Sequence, residues 1–255
     1  MKRIDLNADM GESFGAYRIG EDEALLRHVS SANIACGFHA GDASVMRRTV
    51  RRCLEQGVRI GAHPGLPDLQ GFGRRAMALS PEEAFDITLY QIGALHAIAA
   101  AEGGVVQHVK PHGALYHLAE ADERIAAVLA EAAARAPGAP ALVGLSGGRL
   151  AAAGRALGLR VLEEAFADRA YRPDGTLMPR GEPGAVLDAP DAVAAQALRL
   201  ARDGAATTPQ GIVVAVKADT ICIHGDGPRA AETAEAISRA LLAGGVRIDR
   251  QEGHG

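Results

Sequence analysis

A chain of 255 residues, 48% hydrophobic and 23% charged, is long enough for one large α/β domain, and no low-complexity tract interrupts it. A formal net charge of −4 with no basic cluster argues against a nucleic-acid partner; the Arg-Arg pairs at 47–48, 51–52 and 74–75 read as solvated faces. The start of the chain is too short and polar for a signal peptide, and no apolar run of about 18 residues stands out, so no membrane partner is expected. Three cysteines, at 36, 53 and 222, form no CxxC pair, which fits a reducing, cytoplasmic location.

Short β-prone runs alternate with helical ones along the chain. A strand over 3–8 ends in Asp9-Met10-Gly11-Glu12. A strand over 32–37 runs into Gly37-Phe38-His39-Ala40-Gly41-Asp42, and a helix over 43–56 follows. The third strand, 58–62, ends in Ala62-His63-Pro64-Gly65, after which Gly71-Phe72-Gly73-Arg74-Arg75 reads as a loop with two cations. Ser80-Pro81-Glu82-Glu83 supplies an N-cap, a first-turn proline and a capping glutamate for a helix over 81–102.

The strand over 105–110 gives Lys110-Pro111-His112-Gly113, with a helix over 122–136 beyond it. Strand 140–145 leads through Gly144-Leu145-Ser146-Gly147-Gly148 to a helix over 148–157. Strand 159–164 leads into Glu163-Glu164-Ala165-Phe166-Ala167-Asp168-Arg169. A helix over 189–203 opens at Pro190-Asp191, the seventh strand is placed at 211–217, and extra strands fall near 221–224 and 246–248. Between these last two, His224-Gly225-Asp226 precedes a helix over 228–243 that opens at Gly227-Pro228.

Strands that alternate with helices need crossover connections and so imply a parallel sheet. Seven or eight such units favour an irregular closed (β/α) barrel of the TIM-like kind, forming one domain over 1–255; a doubly wound open sheet is the alternative. In a barrel every strand end converges on one face, where active sites are built. Four of nine histidines, His39, His63, His112 and His224, lie at such ends, whereas His28, His96, His108, His117 and His254 do not.

Imidazoles and carboxylates gathered in this way suit acid–base work near neutral pH, or a divalent metal. The candidate catalytic residues are Asp9, Glu12, His39, Asp42, His63, His112, Glu164, His224 and Asp226, and Asp9, His39 and His63 form a candidate metal triad. The chain has 24 Arg but only three Lys and two Asn, which draws attention to Lys110 and Asn7 in the strand runs. With Arg169 they are the expected substrate-binding set, although an ion pair with Asp168 or Glu164 explains Arg169 equally well. Ser146 matches G-x-S-x-G between a strand and a helix, and Asp219 and His224 follow in the order a hydrolase triad requires. That reading leaves the other histidine endings unused. No P-loop motif occurs.

Asp5 to Glu12, Asn33 to Asp42, Gly61 to Gly65, Val109 to Tyr116, Glu164 to Tyr171 and Ile223 to Asp226 together resemble the LamB/YcsF family, in order and over nearly the whole chain. The resemblance implies a barrel akin to the glycoside hydrolase/deacetylase type. It implies ATP-dependent opening of 5-oxoproline to L-glutamate, with ATP and Mg2+ in an assembled enzyme that includes subunits B and C of a 5-oxoprolinase. Two other readings stand beside it. One is a metal-dependent deacetylase or amidohydrolase that needs no ATP, and the other a non-catalytic lactam- or sugar-binding regulatory subunit.

Overall fold

The computed structural model describes residues 1–223 and 229–250. The chain alternates β1 (Lys2–Met10), the short α1 (Asp22–Leu25), β2 (Ser31–Ala35), α2 (Ala43–Glu55), β3 (Arg59–His63), α3 (Pro81–Ala101) and β4 (Val106–Val109). It continues with α4 (Gly113–Ala121), α5 (Glu123–Arg135), β5 (Ala141–Leu145), α6 (Arg149–Ala156), β6 (Val161–Phe166) and α7 (Pro190–Asp203). The last elements are β7 (Ala205–Thr207), β8 (Val213–Ala215), β9 (Thr220–Ile223), α8 (Ala230–Ala243) and β10 (Val246–Ile248). Strands β1, β2, β3, β4, β5, β6 and β9 pair in parallel in that order, and β9 closes back onto β1. The result is the TIM-like α/β barrel that the alternation predicted, with seven strands in the wall and β10 added beside the first residues of β1.

The wall has an inverted polarity that follows from a period of two. In β1, Leu6, Ala8 and Met10 face the helices and are fully buried, while Asp5, Asn7 and Asp9 point into the barrel. His108 and then Lys110 after β4, Glu164 on β6, and Thr220 and Cys222 on β9 do the same, so the interior is a continuous polar stack. Asp5 accepts from Ser30, Ser31 and Thr220 at its foot. Asn7 joins Thr220 to Glu164, and Asn33 joins Asn7 and Asp9 to His108. A buried polar group is tolerated where it is hydrogen-bonded, and these are.

The helices start and stop where local chemistry dictates. Asp42 caps α2 by accepting from the Val45 N–H, and Ser80 and Glu83 form a reciprocal capping box at α3. Gly204 ends α7 with φ of +63°, the left-handed conformation that glycine adopts without a Cβ penalty.

Four expectations need correction. The run at 211–217 is not barrel wall: only Val213–Ala215 is extended, Val213 is largely exposed, and it pairs antiparallel with β7 in a separate two-stranded sheet. The seventh wall position belongs to Thr220–Ile223, expected only as an extra strand because its inward residues, Thr220 and Cys222, break the apolar pattern. Helix α4 is absent from the predicted elements; its Pro-His-Gly approach hides a short helix whose Ala114, Leu115, Tyr116 and Ala119 are buried at helical spacing. Finally, α3 is by length and composition apolar enough to cross a membrane. In this structure it lies in the outer layer, turning Ala84, Thr88, Ile92, Leu95 and Ala99 toward the core.

Candidate active site

The carboxyl ends of the strands bring Asp9, Glu12, His39, His63, His112, Lys110 and Glu164 to one rim, as a barrel predicts. His63 ends β3 and His112 is the residue before α4. His39 sits in the turn after β2, fully buried between these two and the 68–75 loop. The rings of His39 and His112 stack in parallel, centroids 3.7 Å apart, and His63 meets both edge-on.

Space for this packing comes from glycine. A Cβ on Gly65 would stand 2.3 Å from His39 Nδ1, and one on Gly73, whose φ is +63°, would stand 2.7 Å from His39 Cβ.

Two backbone carbonyls fix the tautomers. His63 Nδ1 donates to the Lys110 carbonyl at 2.7 Å, and His112 Nε2 donates to the Phe72 carbonyl at 2.8 Å. Phe72 reaches that position with φ of +55°, a strained conformation for a residue with a side chain. The remaining nitrogens, His63 Nε2 and His112 Nδ1, then point at each other across 3.0 Å. Two lone pairs do not attract, so a positive charge belongs between them: a shared proton or a metal ion.

The surroundings favour neutral rings. Burial first, and then the neighbouring His63, push His112 down to about 3. His39 is held well below the ordinary histidine value by burial and by His112.

Glu12, His39, His63 and His112 offer ligand atoms that all lie within 4.8 Å of one another. Glu12 Oε1 is 3.4 Å from His39 Nε2 and 3.8 Å from His112 Nδ1. Tetrahedral metal–ligand bonds of about 2.0–2.1 Å set ligand atoms about 3.3 Å apart, so these separations suit a divalent ion. His39 also has no hydrogen-bond partner on either nitrogen among the described residues, so the donor set fits a metal. The set differs from the expected triad of Asp9, His39 and His63. Asp9 instead braces the group from the side, with Oδ2 3.3 Å from His63 Nε2 while Oδ1 accepts from Lys110 and Asn33.

Lys110 is locked inside the barrel. Its ammonium meets Glu164 Oε1 at 2.9 Å, Asp9 Oδ1 and Asn7 Oδ1 at 3.1 Å, and Cys222 Sγ at 3.0 Å. Burial works against its charge, but Asp9, Cys222 and Glu164 more than offset this and raise it well above the ordinary lysine value. Tyr116 of α4 donates to Glu164 Oε2. Next to this group opens a cavity of about 580 Å³, lined by Asp9, His63, Lys110 and His112 on one side and by Phe166 and Arg169 further out.

Other expected site residues separate. Asp42 stands apart as a helix cap, its carboxyl held below the usual range by N–H donors from Gly15 and Val45. Asn7 lies below the cavity floor, fully engaged in the barrel stack. His224 and Asp226 lie outside the described residues. Ser146 follows β5 at the upper rim, whereas Asp219 precedes β9 at the opposite end, where it accepts from the Glu163 N–H. No nucleophile triad can form between them.

Sequence reasoning misses three contributors. His108 is two residues from Lys110 and on the same inward face, a period-two signal that could have found it. Tyr116 and His117 are hidden along with α4.

The LamB/YcsF family matches the chain over residues 4–254. Over 248 residues, 97% of this chain and 96% of that protein, it is 52% identical to the A subunit of 5-oxoprolinase from Bacillus subtilis (strain 168). The crystal structure of the lactam utilization protein from Thermus thermophilus superposes with a TM-score of 0.93 at 48% identity, covering 98% of this chain and all of that one. A family 4 carbohydrate esterase from Streptomyces lividans shares the fold at 12% identity, with a TM-score of 0.51 over 99% of this chain and 94% of that one.

Proposed function

The chain belongs to the LamB/YcsF family, and from that premise we propose that it is the A subunit of an ATP-dependent 5-oxoprolinase, which opens 5-oxoproline to L-glutamate. The observation that carries this reading is the cavity whose inner end is a buried cluster of three histidines and two carboxylates. A lactam is an unreactive amide. Transfer of the ATP γ-phosphoryl group to its oxygen releases ADP and makes the ring carbon electrophilic; water then adds, the ring C–N bond breaks to leave an acyl phosphate, and a second water releases phosphate and the γ-carboxylate. Partner subunits B and C, with ATP and Mg2+, complete this cycle in the cytoplasm.

The residues of this chain have separable tasks. His63 Nε2 and His112 Nδ1 hold and move the proton taken from water and returned to the ring nitrogen. Asp9 and the Lys110 carbonyl orient His63, and the Phe72 carbonyl orients His112. Lys110 pairs with Asp9 and Glu164 beneath the floor of the cavity. The same two nitrogens of His63 and His112, with Glu12 and His39, would instead be ligands when a divalent metal is held there; the metal would supply Lewis acidity and a more acidic bound water, and these nitrogens would then not carry the proton. The opposite nitrogen of each acid–base ring is tied to a carbonyl, one on a strained loop and one at a strand end, so both rings are positioned before substrate arrives.

The test is glutamate release from 5-oxoproline, with and without ATP and Mg2+, for the chain alone and with subunits B and C added. ATP-dependent glutamate in the assembled enzyme, abolished by His112→Ala with the thermal midpoint within a few degrees, supports the reading. Glutamate made by the chain alone without ATP would instead make it an independent amidohydrolase.

A further inference from the structure

The cavity has a second end, and it is cationic. Arg169 follows β6 and is 4% exposed. Gln196 of α7 clamps the backbone there, donating from Nε2 to the carbonyls of Phe166, Ala167 and Arg169 at 3.1, 2.9 and 2.7 Å. Arg169 Nη2 donates to the Met178 carbonyl, which ties down the loop that carries Arg180 two residues later. Its Nε is buried without a hydrogen-bond partner among the described residues.

Arg180 and His117 line the same cavity. The two guanidinium cations strain against each other, and His117 beside them is a neutral ring. Burial and then Arg180 lower Arg169, an effect larger than the opposing pull of Asp168. Burial and then both arginines lower His117. A buried guanidinium donor with nothing to bond, facing a cavity whose other cations repel it, is a site short of an anion. Lys110 cannot take that anion, because its three N–H donors are already spread over Glu164, Asp9, Asn7 and Cys222.

We propose that Arg169, Arg180 and His117 form the carboxylate-recognition subsite of this cavity, holding the ring carboxylate of the substrate so that the lactam carbonyl faces His63 and His112. Leu145, Leu177 and Met178, which line the space between, meet the ring methylenes. The assignment rests on the lactam reading above for the identity of the ligand, and on the two arginines for its anionic end. Arg180 and His117 are thereby specificity-determining residues, and a lactam without a carboxylate binds with no use for them.

Calorimetric titration of the full chain separates the two claims. The ligands are 5-oxoproline, 2-pyrrolidone (the same ring without its carboxylate) and inorganic phosphate; the proteins are wild type, Arg180→Ala and His117→Gln. Neither side chain belongs to the buried core, so both variants are expected to fold. The expected result is tenfold or greater weakening of 5-oxoproline binding in Arg180→Ala, a smaller loss in His117→Gln, and unchanged binding of 2-pyrrolidone. Equal affinity of wild type for the two lactams, or variants that bind 5-oxoproline as wild type does, would overturn the subsite. Binding of phosphate but of neither lactam, lost in Arg180→Ala, would sustain the anion subsite and remove the lactam reading. Binding of none of the three would overturn the subsite as well.

Discussion

Replacing Lys110 by Met removes the single ammonium between two buried carboxylates while keeping the length of the side chain. At an effective dielectric near 20, unit charges about 3 Å apart attract by roughly 5 kcal/mol. The separations to Glu164 and Asp9 are 2.9 and 3.1 Å. Against that stands the cost of taking the ammonium out of water, so the net loss for breaking a buried pair is about 3–5 kcal/mol. Glu164 retains donors from Asn7 and Tyr116, and Asp9 retains Asn33, which places the expected loss at the lower end of that range.

Lys110 is held well above the ordinary lysine value, so its ammonium, and the stability that it contributes, is fully present at neutral pH. Urea unfolding of wild type and Lys110→Met at pH 7 measures the difference directly. Lys110→Met combined with Glu164→Gln should recover part of the stability. A difference below about 1 kcal/mol would refute the idea that a charged Lys110 holds the barrel interior together.

The same geometry sets three further outcomes. Burial lowers His108 to about 4, so it contributes stability that is complete above the ordinary histidine value and lost as pH falls from about 6.5 to 4. The His108 share of that loss is about 3 kcal/mol, to which the lowered His39 and His112 add, and a pH-independent midpoint there would contradict a neutral buried His108. Gly61→Ala places a Cβ 2.0 Å from His108 Nε2, which must swing away from Asn33; a loss of about 2–3 kcal/mol with an unchanged urea slope is expected, and near-neutral behaviour would show that the ring has room to move. For the metal, protein equilibrated with divalent ions and desalted should carry about one equivalent by elemental analysis, as expected for a site of this donor set. That equivalent should be lost in Glu12→Gln and His63→Ala, and equal metal in wild type and both variants would place the ion elsewhere.

The sequence by itself determined the architecture and most of the rim. Alternating apolar runs and capped helices carry their own periodicities, so the parallel barrel, the boundaries of α2, α3, α5 and α7, and the strand-end positions of Asp9, His39, His63, Lys110 and His112 could be read locally. Six blocks in order also carried the family. Local reading failed where one residue type serves two contexts. Asp42 in a Gly-rich strand ending looks the same whether it caps a helix or faces a substrate, and the apolar run at 211–217 looks like wall although its outer positions are exposed.

Only the tertiary structure decided which groups meet. Glu12 rather than Asp9 completes the metal-capable set because Lys110, reaching in from a strand three places around the wall, claims one oxygen of Asp9. The tautomers of His63 and His112 depend on carbonyls of Lys110 and Phe72, 47 and 40 residues away in sequence. Arg169, Arg180 and His117 come from a strand end, a loop and a helix, and no spacing links them. Strand periodicity fixes the direction of a side chain, but its protonation and its partner are set by whatever the closure of the barrel brings against it.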